Sequence, residues 1–433
     1  MRSASRRSMF AVAVSLLALA ACSDVLHQSA QPARLDLSLT GPVPERIEAF
    51  ELEVSAPGMA TVTEQLGPRG SGTTTLELPA GRNRRFNIFS INEDGDYDVY
   101  AGETVASVAP GRETRVRVPV TPGPVIVDNS NNRFVQISDI GNRAQRVVDG
   151  EDIAASLNID PMDASYDSSG RLWVVDGRFS PDDSAIIGFA SLSDVSGSMD
   201  VRTDVVYRNS AIAVDSANER IFVYGRNEGT EFEWGVWTVG FGGNLLTAGS
   251  PIQGFAESAE NLQARNVSGL AVDSTGEYLF VLAATLEEPT PTVHKLNIAN
   301  GTVVRSVSFD SPAPGLTGKR FFGDVMVMSD RVFVADPIDR RIRVFDLDLT
   351  QIASYGTGPV DEERPDNGEL WGPRRFVATM SDEQIIVIDQ QDNLSGSETF
   401  TGRGRVVGFR LDQPDIWRVL EDDDFAFFGT FFS

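Results

Sequence analysis

A short phrase, apolar-x-Asp or a close variant, returns six times after residue 125. It reads Ile126-Val127-Asp128, Val174-Val175-Asp176, Val223-Tyr224-Gly225, Val281-Leu282-Ala283, Val334-Ala335-Asp336 and Val387-Ile388-Asp389. The steps between third positions are 48, 49, 58, 53 and 53 residues. A period near fifty, with β-type apolar runs inside each unit, marks a ring of small sheets, a β-propeller.

A full unit is clearest in the fifth copy. It runs Gly323-Asp324-Val325-Met326-Val327, Arg331-Val332-Phe333-Val334-Ala335-Asp336, Arg340-Arg341-Ile342-Arg343-Val344-Phe345-Asp346 and Gln351-Ile352-Ala353-Ser354-Tyr355-Gly356. These are four strands and their turns. The unit resembles the NHL-type repeat, whose core is a strand, Val-Ala-Asp, a polar turn and Arg-Ile-x-Val-Phe-Asp. Asn131–Ile137 matches the same stretch in the first copy. Inner strands recur as Ala211-Ile212-Ala213-Val214-Asp215 and Gly269-Leu270-Ala271-Val272-Asp273. In the third and fourth copies Gly225 and Ala283 replace the Asp, so those blades rest on spacing and strand pattern.

The first copy has no inner strand of its own. From a third-position residue to the middle of the next inner strand is 35 to 44 residues, as in Asp176 to Ala211 and Gly225 to Gly269. The same count from Asp389 lands on 424–433, where the apolar run Phe425–Phe432 stands. The expectation is that this run completes the first blade and removes the open edges of a broken ring. A tail packed elsewhere is the alternative.

Residues 34–121 carry seven strand-like runs: Arg34–Thr40, Ile47–Ser55, Met59–Gln65, Thr73–Leu78, Arg85–Ile91, Tyr97–Ser107 and Thr114–Val120. Alternation is plain in Arg34–Leu39 and Arg115–Val120. The pattern is that of a small antiparallel β-sandwich, and it resembles the Ig-like or transthyretin-like modules of bacterial surface lipoproteins. Asn92–Asp98 invites a calcium-loop reading, but Gly95 stands fourth where an EF-hand needs it sixth. A hairpin turn explains it better. Thr121-Pro122-Gly123-Pro124 reads as a linker. The expected fold is all-β: a β-sandwich over 34–121, then a six-bladed propeller over 125–433 closed by the C-terminal strand.

The start of the chain gives an address. Arg2, Arg6 and Arg7 precede an apolar run from Met9 to Ala21, then Cys22. The run is too short to span a membrane and is followed at once by polar sequence. Leu19-Ala20-Ala21-Cys22 resembles the lipobox of bacterial lipoproteins. That resemblance implies removal of residues 1–21 and lipidation of Cys22, with 22–33 as a tether. Several acyl chains anchor stably where one does not. An ordinary secreted protein cut after Ala20 or Ala21 is the alternative. Cys22 is the one cysteine of the chain, so the exported domains fold without disulfides. Ser5-Arg6-Arg7-Ser8 resembles a twin-arginine start without its usual continuation. Ser23 after the cysteine resembles lipoproteins passed to an outer membrane.

Net charge is −25, and removing 1–21 takes it to −28. Such a chain does not bind nucleic acid by charge. The expected partners are the membrane, through the lipid anchor, and a protein or glycan.

Catalytic groups are scarce. The histidines are His27, in the tether, and His294. Lyases, quinoprotein dehydrogenases and paraoxonase-like hydrolases of this shape need histidine for proton transfer or metal binding, so those resemblances fail. No Gly-x-Ser-x-Gly elbow and no phosphate loop occurs in the sequence. Asp163, Ser210, Ser268, Asp324 and Arg375 are expected at the mouth of the inner strands. Two acids with an arginine among them make a poor dication cage.

Two functional readings follow. One is a non-enzymatic binding or scaffolding module that uses loops on one propeller face. Those loops hold Asp182, Asp183, Glu228, Glu231, Glu233, Glu287, Glu288 and Asp392. The long connection 358–374 carries Glu369, Trp371 and Arg374 as candidate ligand-binding residues, an aromatic amid charges being a usual anchor. The plainer reading of Trp371 is packing under its own loop. The other functional reading is a calcium-dependent, lactonase-like hydrolase with Ca2+ held by Asp163 and Asp324.

Overall fold

The computed structural model describes residues 34–40, 46–67, 76, 78–109, 111–128, 132–139, 144–149, 161–177, 186–190, 192, 199–203, 206–227, 234–242, 265–285, 291–309, 323–358, 368–390 and 404–422. The expected signal peptide and tether, Cys22, the apolar C-terminal run and the acidic residues of the expected face loops lie outside them.

Contacts divide the chain after Thr121. The first unit holds β1 (Arg34–Thr40), β2 (Ile47–Ser55), β3 (Val62–Leu66), β4 (Gly81–Asn92), β5 (Tyr97–Val108) and β6 (Glu113–Pro122). They hydrogen-bond in the order β1-β6-β5-β4-β2-β3, with β1 parallel to β6. Six of the seven expected runs are strands; Thr73–Leu78 falls mostly outside the described residues. Leu35, Leu37, Val116 and Val118 on one arm of the order are buried. So are Phe50, Leu52, Val54, Phe86 and Ile88 on the other. Both arms bury one set of alternating residues, and the strands form one continuous sheet whose parallel β1–β6 pair departs from the antiparallel sandwich expected. The Asn92–Asp98 segment is a hairpin turn: Asn92 Oδ1 accepts from the backbone N–H of Asp94 and Asp96, each at 3.0 Å, and Gly95 takes φ +85°. Asp98 is buried and held by both Nε and Nη2 of Arg46.

The second unit is six small sheets in series. The first has β7 (Val125–Asp128), β8 (Arg133–Ile137) and β9 (Gln145–Asp149). The second has β10 (Pro161–Tyr166), β11 (Leu172–Asp176), β12 (Ile186–Phe189) and β13 (Met199–Thr203). The third has β14 (Val206–Asp215), β15 (Arg220–Asn227) and β16 (Trp234–Gly240). The fourth has β17 (Arg265–Val272), β18 (Tyr278–Thr285), β19 (Thr292–Asn297) and β20 (Val303–Ser308). The fifth has β21 (Asp324–Met328), β22 (Arg331–Asp336), β23 (Arg341–Asp346) and β24 (Gln351–Tyr355). The sixth has β25 (Pro373–Phe376), β26 (Gln384–Gln390), β27 (Gly404–Arg410) and β28 (Gln413–Asp422).

The sheets are antiparallel blades. All six recurrent phrases fall on equivalent strands: β7, β11, β15, β18, β22 and β26. Both faces of these strands are covered, so they read as continuous apolar runs rather than alternating ones; every residue of β26 and β27 is buried. Burying one such large side chain contributes about 1.5–3 kcal/mol.

The cores lie between blades. One cluster joins blades two and three, another three and four, another four and five, another five and six. A fifth joins blades six, one and two, through residues such as Ile388, Ile126 and Ile187. The ring therefore closes. A bridge in which Val125 N–H donates to Ala378 O at 2.8 Å reinforces that seam. The linker is built into it: Gly123 O accepts from Tyr166 Oη at 3.0 Å.

Neighbouring blades are also tied through the turns that follow their inner strands. Ser168 N–H donates to Ser216 Oγ at 2.8 Å, and Arg220 Nη2 to Gly276 O at 2.9 Å. Ser329 Oγ donates to Asp382 O at 3.0 Å.

Candidate functional site

Only inner strands face the ring axis, and those among the described residues are β10, β14, β17, β21 and β25. Register against the second strand of each blade finds the equivalents. Asp163 pairs with Val175, Ala211 with Tyr224, Gly269 with Leu282, Asp324 with Ala335 and Arg375 with Ile388. Two expected positions need correction. Ser210 and Ser268 lie one residue before the true equivalents, Ala211 and Gly269. Register shifts also precede Asp163 and Arg375, so a bulge does not set these blades apart. The count from the axial position to the third phrase residue varies instead, 13 from Asp163, 14 from Ala211, Gly269 and Arg375 and 12 from Asp324, as the hairpin between the two strands changes length. The Ser268 hydroxyl is buried and has no hydrogen-bond partner among the described residues.

The axis therefore carries Asp163, Asp324 and Arg375, with Ala211 and Gly269 at the equivalent places between the acids. Arg375 Nη1 lies 3.0 Å from Asp163 Oδ2. Asp163 also accepts from its neighbour Ala164 N–H at 2.9 Å and from Ile212 N–H of the next blade at 3.0 Å. Asp324 repeats the pattern, accepting from Val325 N–H at 2.8 Å and from Phe376 N–H of the next blade at 2.9 Å. Each acid thus links its own inner strand to the next.

Both acids are buried. Desolvation pushes the Asp163 carboxyl up, against the pull of Arg375 and two backbone N–H groups. Desolvation also raises Asp324, to about 7; Arg375 and the two N–H groups oppose the rise, and Asp163 adds to it. The acids in turn hold Arg375 charged against the cost of its burial.

An axial cavity of about 590 Å3 begins at Asp163 and Asp324. It runs along Ala164, Ala213, Ala271, Val325 and Val377 to the turns bearing Ser274, Asp330 and Asp382. Those turn residues are exposed, so the cavity opens at that end. Small residues on three successive inner strands make the room.

Calcium does not fit this group. A positively charged guanidinium already sits against one acid, and the carboxylate oxygens accept backbone N–H groups. Such a cation wants six to eight oxygen ligands. No group of three or more metal-ligating side chains occurs among the described residues.

The residues expected in the long connection are placed differently from a presented patch. Trp371 is buried. Its N–H donates to Asp389 Oδ2 at 3.1 Å, and the Arg405 guanidinium lies 4.9 Å from its ring centroid. Arg405 donates to Asp389 at 2.9 Å and to the backbone O of Glu369 at 2.7 Å. Arg374 is buried at the bulge before Arg375. Trp371 thus packs into blade six, against Asp389 and Arg405. His294 stands on the third strand of blade four, its Nδ1 2.8 Å from Ser306 Oγ, far in sequence and sheet order from the axial acids.

No protein-family model matches the chain, and no curated protein sequence does. Solved structures similar to it include the β-propeller domain of Cps50 (Swd1) from Myceliophteria thermophila, 10% identical, covering 69% of this chain and 85% of that one at a TM-score of 0.39. A luciferin-regenerating enzyme is 11% identical and covers 70% and 92% at 0.38. Regucalcin, a calcium-binding protein from Agrobacterium tumefaciens, is 10% identical and covers 63% and 82% at 0.36. Identities this low carry no chemistry across.

Proposed function

We propose that this chain is a lipid-anchored, non-enzymatic binding or scaffolding module of the bacterial cell envelope. It is held by Cys22, and it recognises a protein or glycan through its propeller face loops. The observation that carries the non-enzymatic part is the pairing of Arg375 with Asp163 at 3.0 Å. Among the described residues the ionisable cluster on the axis sets one guanidinium against two acids, and each acid is engaged in joining blades. It contains no thiol and no histidine, and a dication would have to sit beside a guanidinium already in place.

The anchor reading rests on the lipobox resemblance at Leu19–Cys22 and on the placement of the single cysteine. A rigid ring with variable acidic loops on one face suits recognition rather than turnover. Two observations test this. The wild-type protein should incorporate labelled palmitate and partition into detergent, whereas Cys22→Ala should be soluble or uncleaved. The soluble Cys22→Ala protein should then capture a saturable partner from solubilised envelope. A processed, lipid-labelled Cys22→Ala product would sink the anchor claim. Lactone hydrolysis by the purified protein, lost in Asp163→Asn, would sink the binding reading.

A further inference from the structure

Beyond the face loops, the structure assigns a second binding site: we propose that the axial cavity takes a small organic monocation, an ammonium group on an apolar body, with the ammonium against Asp324. This does not depend on the anchor or on the face loops.

The cavity wall is mixed: Ala164, Ala213, Ala271, Val325 and Val377 give it apolar stretches, with Ser165, Ser329 and Thr379 among them, and its volume of about 590 Å3 falls within the usual small-molecule range. Its charges select the sign. Among the described residues its lining includes four acids, Asp163, Asp324, Asp330 and Asp382, and neither Lys nor Arg. Asp330 and Asp382 stand at the open turn end, where they draw cations inward.

The closed end selects the valence. Asp163 has Arg375 as its ion-pair partner. Asp324 is buried and, among the described residues, bonds only to backbone N–H groups. Two ionised acids and one guanidinium sum to one negative charge. A single ammonium cancels it, whereas a dication overshoots and an anion adds to it. Arg375 acts on Asp324 through space but makes its ion pair with Asp163. A buried carboxylate so incompletely compensated is costly, so Asp324 is the group in the cavity that gains most from a ligand cation.

The groups facing Asp324 among the described residues are Asp163 from β10 and Arg375 from β25. Gly269 of β17 packs beside it without charge. Binding should therefore strengthen as pH rises through the neutral range, where burial holds part of the Asp324 population protonated. The ligand itself stays cationic there.

The test uses the full-length protein in detergent, titrated by calorimetry against a detergent blank. The probes are 2-phenylethylamine, its near-isostere 2-phenylethanol and phenylacetate. The amine should bind at least tenfold tighter than the alcohol, and phenylacetate should show no binding. Amine affinity should rise severalfold or more between pH 5.5 and 8. Asp324→Asn should lose at least tenfold. If Asp324→Asn does not fold, the ligand series and the pH profile still decide. Equal binding of amine and alcohol overturns the proposal. So does amine binding undiminished in a folded Asp324→Asn, which would be adsorption to an acidic surface, and so does the absence of amine binding at millimolar concentration.

Discussion

Gly269 shows how much one missing methyl decides. A Cβ there would come within 2.5 Å of Asp324 Oδ1 and 2.6 Å of Val325 N, so the inner strands of blades four and five meet through it. Gly269→Ala should destabilise the protein by about 1–3 kcal/mol through overpacking. Gly67→Ala, where a Cβ meets nothing within 4 Å, should be nearly silent. Urea unfolding of the two variants checks this, and equal midpoints would contradict it. Asp324 carries a second prediction. Its folded-state carboxyl sits at about 7, above the ordinary 3.8, so the native state holds more protons than the unfolded state between those values. Its contribution to stability is full below about pH 4 and is lost as pH rises through about 7. Wild type should therefore lose a few kcal/mol relative to Asp324→Asn between pH 4.5 and 8. Asp163 is raised in the same direction and largely cancels in that comparison. Parallel pH profiles would refute the assignment. These residue-level facts were half legible in the sequence. Asp163, Asp324 and Arg375 stood out as axial by spacing. Ala211 and Gly269 did not, because the count from inner strand to phrase varies between 12 and 14 residues with hairpin length, and the polar Ser210 and Ser268 stand beside them. Trp371 was open to two readings, since an aromatic among charges looks alike in sequence whether it is presented or buried. Only the Arg405 stack and the Asp389 acceptor decide for the interior.

At the scale of elements, the recurrent phrase has a physical meaning. Its aspartate is buried at the end of the second strand and takes an arginine from the third. Asp128 pairs with Arg133 at 2.7 Å, Asp336 with Arg343 at 2.8 Å and Asp389 with Arg405 at 2.9 Å. The same carboxylates hold backbone: Asp336 caps its own turn, accepting the N–H groups of Ile338 and Asp339, and Asp389 accepts that of Gly372 ahead of β25. In blades three and four Gly225 and Ala283 stand instead, and the strands pair in register without the charge. Hydrophobic pattern and spacing are therefore sufficient for a blade, which is why those two were readable despite the missing aspartate. β7 is the element left open. It is buried along its whole length and pairs with β8, yet no described strand runs beside its other edge, where Val125 makes a lone bridge to Ala378. The apolar run Phe425–Phe432 is the segment expected to fill it. Deleting Phe425–Ser433 should lower stability by several kcal/mol, given roughly 1.5–3 kcal/mol for each large apolar side chain buried. Calorimetric melting measures this, and an unchanged melting temperature would rule the segment out of the first blade.

For the whole molecule, the ring joins cores that lie between blades, ties between successive turns, and an axial charge group that links strands. Ring closure is visible in the cluster shared by blades six, one and two. The repeat period made the number of blades legible, because six units of about fifty residues fill the chain after Pro122. The axial chemistry was less legible: sequence spacing brought two acids and an arginine to one level but could not say that the arginine pairs with Asp163. That pairing separates an axis whose arginine already offsets one of its two acids from a metal cage, and it is the central claim. Calcium titration followed by thermal unfolding tests it most directly. The account predicts no saturable shift up to millimolar calcium, in wild type or in the Asp163→Asn/Asp324→Asn double variant. A saturable stabilisation of wild type approaching about 4 kcal/mol at a thousandfold excess over the dissociation constant, absent from the double variant, would contradict it.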